Sequence, residues 1–345
     1  RAPKDEPAES VAVEERAGAE QLIREIGALS EANHANRDPE TERRILSLRH
    51  EAAARAANEA AGGREPQYAA PAYDRLPNGS AVPEIASGEL TAELLRAAIL
   101  RSGCLLVRGL FDARDAEDLV EEIDRAFEAR DTGGAGGQPA PAYYEEFVPE
   151  PPYMLMEREW VADAGGIWAA DSPRAMFAML EAFERAGLTR VATDYLGERP
   201  AISVQKCTLR KVEPDIFGEV PVSAWHQDGA FLGDVRALNV WLSLSRCGDV
   251  APGLDLVPRR LEEIVPTGTE GAVFDWSVSQ TVAEQAAGDA AIARPIFDPG
   301  DVLLFDELFL HSTAAGPEMT NRRYAIESWF FGPSAFPEGY VPLAA

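Results

Sequence analysis

Two stretches, far apart in the chain, limit what this sequence can fold into. The first is Ala224-Trp225-His226-Gln227-Asp228-Gly229. The second is Gly300-Asp301-Val302-Leu303-Leu304-Phe305-Asp306-Glu307-Leu308-Phe309-Leu310-His311. The chain has only four histidines. His34 and His50 lie in a charged N-terminal segment and read as surface residues. On an extended strand, residues i and i+2 point the same way, so His226 and Asp228 offer an imidazole nitrogen and a carboxylate oxygen to one point. His311 ends a strongly apolar run and completes the face. Two histidines and one carboxylate leave three octahedral positions open, a donor set that suits non-haem Fe(II).

The sequence around these stretches is strand-rich. Ala237–Leu244 alternates, with Leu238, Val240, Leu242 and Leu244 on one side and Asn239, Trp241 and Ser243 on the other. Residues 201–212 alternate weakly, with Gln205, Thr208, Arg210 and Lys211 as polar members. Val222–His226, Ala291–Ile296, Val302–Phe305 and Arg322–Phe330 supply further runs. Short strands broken by Pro/Gly turns predict a two-sheet jelly roll. The expected class is a mainly β, double-stranded β-helix (cupin-like) core with helical additions, α+β overall.

As an ordered set, Trp225-His226-Gln227-Asp228-Gly229, Leu238–Leu244, Gly300–Phe305, His311 and Arg322 resemble the phytanoyl-CoA dioxygenase family of Fe(II)- and 2-oxoglutarate-dependent oxygenases. The resemblance covers about residues 88 to 332. One departure is Val257-Pro258-Arg259-Arg260, where the family usually shows Pro-Gly-Ser-His. The resemblance implies iron on His226, Asp228 and His311, 2-oxoglutarate as cosubstrate and O2 as oxidant. It places Arg322, eleven residues past His311, on the distal carboxylate of 2-oxoglutarate, which its planar fork suits. The second face of 237–244 is unusually polar for a central strand. Trp241 and Asn239 on that face, and Thr208 of 201–212, are the candidates beside the cosubstrate.

Trp225, Phe231, Arg210, Tyr153 and Trp168 are candidate substrate contacts. The implied reaction hydroxylates an unactivated C–H bond of a small molecule, yielding succinate and CO2. Desaturation or cyclisation in a biosynthetic pathway is the alternative, as is a non-catalytic iron- and 2-oxoglutarate-binding interaction protein. Halogenases of this type replace the carboxylate ligand by a small residue, so Asp228 disfavours that chemistry. The fold hosts many substrates, and phytanoyl-CoA is not implied.

Charge narrows the partners. The chain has 345 residues, 58 acidic and 32 basic, for a formal charge of -26. That argues against a nucleic-acid partner, which needs Lys and Arg on a face, and against an anionic membrane surface. No run approaches the ~18–20 apolar residues of a membrane helix. Three cysteines, with no Cys-x-x-Cys, suggest neither a disulfide framework nor a thiolate zinc site. A cytoplasmic location is expected.

Residues 1–75 read as an N-terminal extension built on a helical hairpin. Leu22, Ile23, Ile26 and Leu29 form one stripe, and Asp38-Pro39 starts the second helix. The hairpin is a candidate contact between protomers of a homo-oligomer. The oxygenase domain is expected over 88–335, with a lid-like segment at 131–170. That segment opens on a Gly-rich run and is aromatic from 143 on, and its aromatics either line a lid or pin the loop to the core.

Overall fold

The computed structural model describes residues 8–60, 66–77, 79–133, 140–155, 158–214 and 224–345. Gly134–Gly137 of the Gly-rich run, and Val222 and Ser223 ahead of His226, lie outside them.

The chain opens with α1 (Ala8–Asn33) and α2 (Pro39–Ala60), packed as a hairpin. Asp38 caps α2, its carboxylate accepting from the Thr41 backbone at 2.9 Å, as expected for a short acidic side chain at a helix N-terminus. Leu22, Ile26, Ile45, Leu48 and Ala52 form one apolar cluster with Phe177, Ala201 and Ala344, so the hairpin's stripe is buried against the rest of the chain. The buried Glu42 receives Arg174 Nε at 2.7 Å. His50, expected on the surface, is buried. Its Nδ1 lies 2.9 Å from the Pro342 carbonyl, and its Nε2 accepts from the Glu150 backbone at 3.2 Å.

Next come β1 (Glu84–Ala86), α3 (Ala92–Ser102), β2 (Cys104–Arg108) and α4 (Ala113–Thr132). Thr91 caps α3, and Gly103 ends it at φ 82°, a left-handed conformation that favours glycine. Asp112 caps α4.

After α5 (Ala140–Tyr143), the lid-like segment carries α6 (Arg158–Asp163) and β3 (Gly166–Trp168). Phe147 N donates to Asp171 at 2.7 Å, and the Arg158 fork grips the same carboxylate. Phe147 and Tyr153 pack edge-on against His50. These contacts pin 147–153, while Val148, Met154 and Trp160 stay exposed.

The helices α7 (Pro173–Arg185) and α8 (Leu188–Leu196) lead into β4 (Ala201–Val212). The remaining elements are α9 (Gly229–Leu232), β5 (Ala237–Ser243), β6 (Gly253–Leu256), α10 (Gln280–Ala287), β7 (Val302–Phe305), β8 (His311–Ala314), β9 (Arg323–Phe331) and β10 (Pro342–Ala344).

The main sheet runs β1-β2-β7-β5-β9-β4-β10, with β3 also on β4, and every pair but β1–β2 is antiparallel. The second sheet is β6–β8. Single bridges extend it, from His311 to His226, from Trp225 to Val278 and from Leu256 to Ala293.

Alternation decides what each face meets. Leu238, Val240 and Leu242 of β5 join Ile326 and Phe330 of β9 under the helices. Trp241 joins Leu303, Phe305, Ala325 and Trp329, and across the gap Leu254 and Leu256 of the second sheet. Two largely antiparallel sheets facing across an apolar layer, with helices outside the larger one, form the expected jelly-roll core with helical additions. Among the described residues, no helix is long and apolar enough to cross a membrane.

Candidate metal centre

His226 and His311 meet because their backbones form a reciprocal antiparallel pair. His226 N donates to the His311 carbonyl at 2.9 Å, and His311 N to the His226 carbonyl at 3.1 Å. Residues so paired carry their side chains on the same face, and the two rings lie 4.3 Å apart. Each ring is fixed by the carbonyl two residues before it. His226 Nδ1 lies 2.9 Å from the Ala224 oxygen, and His311 Nδ1 3.1 Å from the Phe309 oxygen. With the Nδ1 protons held there, both Nε2 lone pairs are free, the usual way a protein sets the tautomer of a ligand histidine.

Asp228 supplies the third donor. Its Oδ2 stands 4.0 Å from each histidine Nε2, and the three donor atoms lie within 4.8 Å of one another. Its other oxygen, Oδ1, accepts from Lys206 Nζ at 2.9 Å. The strand phase is held on the opposite side. Gln227 is fully buried, donates to the carbonyls of Glu263 and Leu308, and accepts from Val265 N. The turn after Asp228 leaves little room for a side chain. A Cβ on Gly229 would stand 3.1 Å from the Glu307 carbonyl and 2.9 Å from Ile264 Cδ1, because Gly229 N donates to that carbonyl at 2.9 Å.

The electrostatics suit metal binding, which needs neutral imidazoles and an ionised carboxylate. Burial, followed by the neighbouring His226, lowers His311 to about 4. Burial pushes Asp228 up, but the Lys206 ammonium and then the two imidazoles outweigh it, and the carboxyl stays below its ordinary range.

The interior face of the main sheet lies close to this cluster. Phe305 sits 4.8 Å from the His311 ring and 6.0 Å from Trp329. Asn239 is buried with neither amide atom hydrogen-bonded, and Trp329 Nε1 is also without a partner. Thr208 is buried opposite Glu327 on β9. Trp241 packs 4.8 Å from Phe297.

Arg322, expected on the cosubstrate carboxylate, faces outward, and its neighbour Arg323 turns inward. Arg322 precedes β9, is exposed, and donates to Glu213 at 2.6 Å and to the Tyr324 hydroxyl at 3.2 Å. Arg323 is 5 % exposed and enters the interior. Its Nη1 reaches the Gly253 carbonyl at 3.3 Å and the Pro252 carbonyl at 3.5 Å, its guanidinium lies 5.9 Å from the Trp241 ring, and its Nε has no partner. Burial lowers its pKa to about 10. The reason is phase. In β9 the odd residues Ala325, Trp329 and Phe331 face the sheet-to-sheet core, and Arg323 shares their side. Glu327 pairs with Arg210 at 3.1 Å, not with Arg323.

The substrate candidates scatter. Phe231, 38 % exposed, lies 6.4 Å from the His226 ring, with Lys206 Nζ 4.1 Å over its face. Arg210 is held by Glu327 and the Ala164 carbonyl. Trp225 points away from the triad. It is buried with Val257, Val278 and Leu310, and its indole donates to Gln280 at 2.7 Å. Tyr153 belongs to the His50 contact under the hairpin. Trp168 pairs in register with Thr208, its ring beneath the Arg158 guanidinium at 5.2 Å.

Three residues at the site were not foreseen. Lys206 shares a face of β4 with Thr208 and Arg210, but alternation does not mark it as the partner of Asp228, which is distant in the sequence. Arg323 needed only the opposite strand phase. Trp276, 5.6 Å from the His226 ring, sits in an irregular loop and left no periodic signal.

No family model matches the chain, and no curated protein matches it. Solved structures do resemble it at low identity. EctD from S. alaskensis, solved with 2-oxoglutarate and 5-hydroxyectoine, is 18% identical over 80% of this chain and 87% of its own, with a TM-score of 0.46. SnoK, a non-heme alpha ketoglutarate dependent carbocyclase from nogalamycin biosynthesis, is 12% identical over 76% of this chain and 99% of its own, with a TM-score of 0.47. AviO1 from Streptomyces viridochromogenes Tue57 is 15% identical over 70% of this chain and 96% of its own, with a TM-score of 0.42.

Proposed function

We propose that this protein is an Fe(II)- and 2-oxoglutarate-dependent oxygenase that hydroxylates a C–H bond of a small molecule. The observation that carries the reading is the meeting of His226 Nε2, Asp228 Oδ2 and His311 Nε2 at one point, with the His311 pKa lowered by burial and the Asp228 carboxyl held below its ordinary range. Such a set occupies one face of an octahedron and leaves the other open. The interior also fits a dicarboxylate. Arg323 is a buried cation that makes no ion pair among the described residues, and its Nε is orphaned. A buried charge without a counter-charge is costly, and a carboxylate of the cosubstrate would supply one. The free Asn239 amide and Trp329 indole N–H offer further donors nearby.

When bound, iron and 2-oxoglutarate supply the oxidising chemistry: O2, 2-oxoglutarate and R–H become R–OH, succinate and CO2. The chain's own residues do the positioning. The Ala224 and Phe309 carbonyls aim the two imidazoles. Lys206 holds Asp228 Oδ1, so a single oxygen faces the metal. Trp241, Phe305 and Trp329 keep water from the inner wall, where low polarity strengthens the Arg323–carboxylate attraction. The three cysteines are free and buried, which fits a reducing, cytoplasmic setting.

His226→Ala, Asp228→Ala and His311→Ala are each expected to abolish iron binding and succinate release while circular dichroism stays unchanged. Full succinate release by any one variant would remove that residue from the metal. Succinate release by the unmodified protein without a primary substrate separates an enzyme from a binding protein.

A further inference from the structure

Three aromatic side chains stand at the rim of the metal centre and belong to none of the hydrophobic clusters of the interior: Phe231, Phe274 and Trp276. Phe231 is 38 % and Phe274 43 % exposed. Phe274 stacks on Trp276 with centroids 5.0 Å apart and planes 6° from parallel. Trp276 stands edge-to-face with His226 at 5.6 Å, and with Phe231 at 6.1 Å and 86°. The rim comes from two separate segments, the turn after Asp228 and the loop before Val278.

The loop is held firmly. Gly268 N donates to the Ser277 carbonyl at 2.9 Å, and Val278 N to the Trp225 carbonyl at 2.7 Å. The buried Ser277 hydroxyl accepts from Phe274 N and donates to the Phe274 carbonyl. Backbone order is thus invested in holding the exposed Phe274 ring and the half-buried Trp276 ring beside a metal-ligand candidate. Contiguous exposed apolar surface of this kind marks a binding site more often than chance packing.

We propose that Phe231, Phe274 and Trp276 form the binding wall for a flat, uncharged ring in the primary substrate. This rests on the metal-centre reading above. Two aromatic planes at 86° make a right-angled corner. A planar ring laid on one plane presents its edge to the other, and so satisfies the stacked and edge-to-face geometries together. A flexible alkyl chain gains neither. An uncharged ring is favoured because the chain's formal charge of -26 disfavours an anion, and the Lys206 ammonium already over Phe231 disfavours a second cation. A ring seated there lies next to His226, where a C–H bond must be placed for oxidation.

The test uses 2-naphthol as the ring probe and 1-octanol as the chain probe. Saturation-transfer NMR on the metal-free protein reports binding whether or not a metal site exists. Mn(II), with its own binding followed by electron paramagnetic resonance, then reports proximity through broadening of the probe's proton lines. The wild type is expected to bind 2-naphthol in preference to 1-octanol and to broaden its lines. Phe231→Ala and Trp276→Ala are each expected to weaken 2-naphthol binding by roughly tenfold with Mn(II) binding unchanged. Tyr73→Ala, which removes another exposed aromatic ring, is expected to change nothing. Equal binding of the two probes, or 2-naphthol binding unaffected in Phe231→Ala and Trp276→Ala, overturns the proposal. Probe binding lost in the two variants but with no Mn(II) bound by the wild type upholds the wall and fails the metal reading instead.

Discussion

Lys206 is the residue whose effect is most local. Its ammonium sits 2.9 Å from Asp228 Oδ1 while Oδ2 faces the two histidines. Replacing it by methionine keeps much of the volume and removes the charge, which frees the carboxylate to rotate and leaves its inner oxygen unpaired. A hydrogen bond to a charged group contributes about 1.5–3 kcal/mol, so Lys206→Met is expected to weaken Co(II) binding by about ten- to a hundredfold. Lys206→Arg is expected to recover part of the loss. Unchanged Co(II) affinity and visible spectrum in Lys206→Met would show that Asp228 is oriented by something else. The histidine and aspartate positions were legible in the sequence because the i, i+2 rule needs nothing beyond an extended backbone. Lys206 obeys the same rule on β4, but a lysine beside a metal aspartate has no sequence signature.

Among the elements, the connection from β7 to β8 carries a buried acidic pair. Asp306 and Glu307 are adjacent carboxyls turned inward. Burial raises Asp306, although Arg260 contacts it. Burial, followed by Asp306, raises Glu307 to about 8, and its Oε2 is unpartnered. A carboxyl whose folded pKa lies above its unfolded value contributes stability that is fully present below about 4.5 and is lost as pH rises toward 8. Glu307→Gln removes that dependence. The variant is expected to unfold at about the same temperature as the wild type at pH 4, and at a higher temperature at pH 8. The upper bound is about 1.4 kcal/mol per pH unit between the two values. Thermal unfolding of the metal-free protein at both pH values checks this, and an equal or lower midpoint for the variant at pH 8 contradicts it. The strand β9 marks where element-level reading failed. Its alternation was plain, but two adjacent arginines fit either phase, and the pairing that settles it, Arg323 opposite Val212 on β4, is a long-range contact.

In the whole molecule, the N-terminal hairpin is fastened to the sheet-and-helix body rather than hung beside it. Glu42 on α2 is fully buried and takes Arg174 of α7, while Arg49 Nη1 donates to the Ala344 carbonyl at 2.7 Å. Breaking a buried pair leaves an uncompensated charge, at a cost of about 3–5 kcal/mol. Glu42→Ala is therefore expected to lower the unfolding free energy of the whole chain by about that much in urea, in one transition. A separate early transition for the hairpin would instead mark it as an independent unit. The helical stripe and the Asp38 cap were readable from the sequence. Where the stripe docks was not, because Phe177, Ala201 and Ala344 are distant in the chain. On the proposed function, the triad and Arg323 build one site for iron and 2-oxoglutarate. The most direct test is anaerobic titration of 2-oxoglutarate into Fe(II)-loaded wild type, Arg323→Leu and Arg322→Leu. Loss of a buried charge pair's partner costs about 2–5 kcal/mol, so Arg323→Leu is expected to bind 2-oxoglutarate tens to thousands of times more weakly at about 1.4 kcal/mol per tenfold, with iron affinity kept and Arg322→Leu like the wild type. Wild-type 2-oxoglutarate affinity in Arg323→Leu, or its loss in Arg322→Leu alone, would contradict the account.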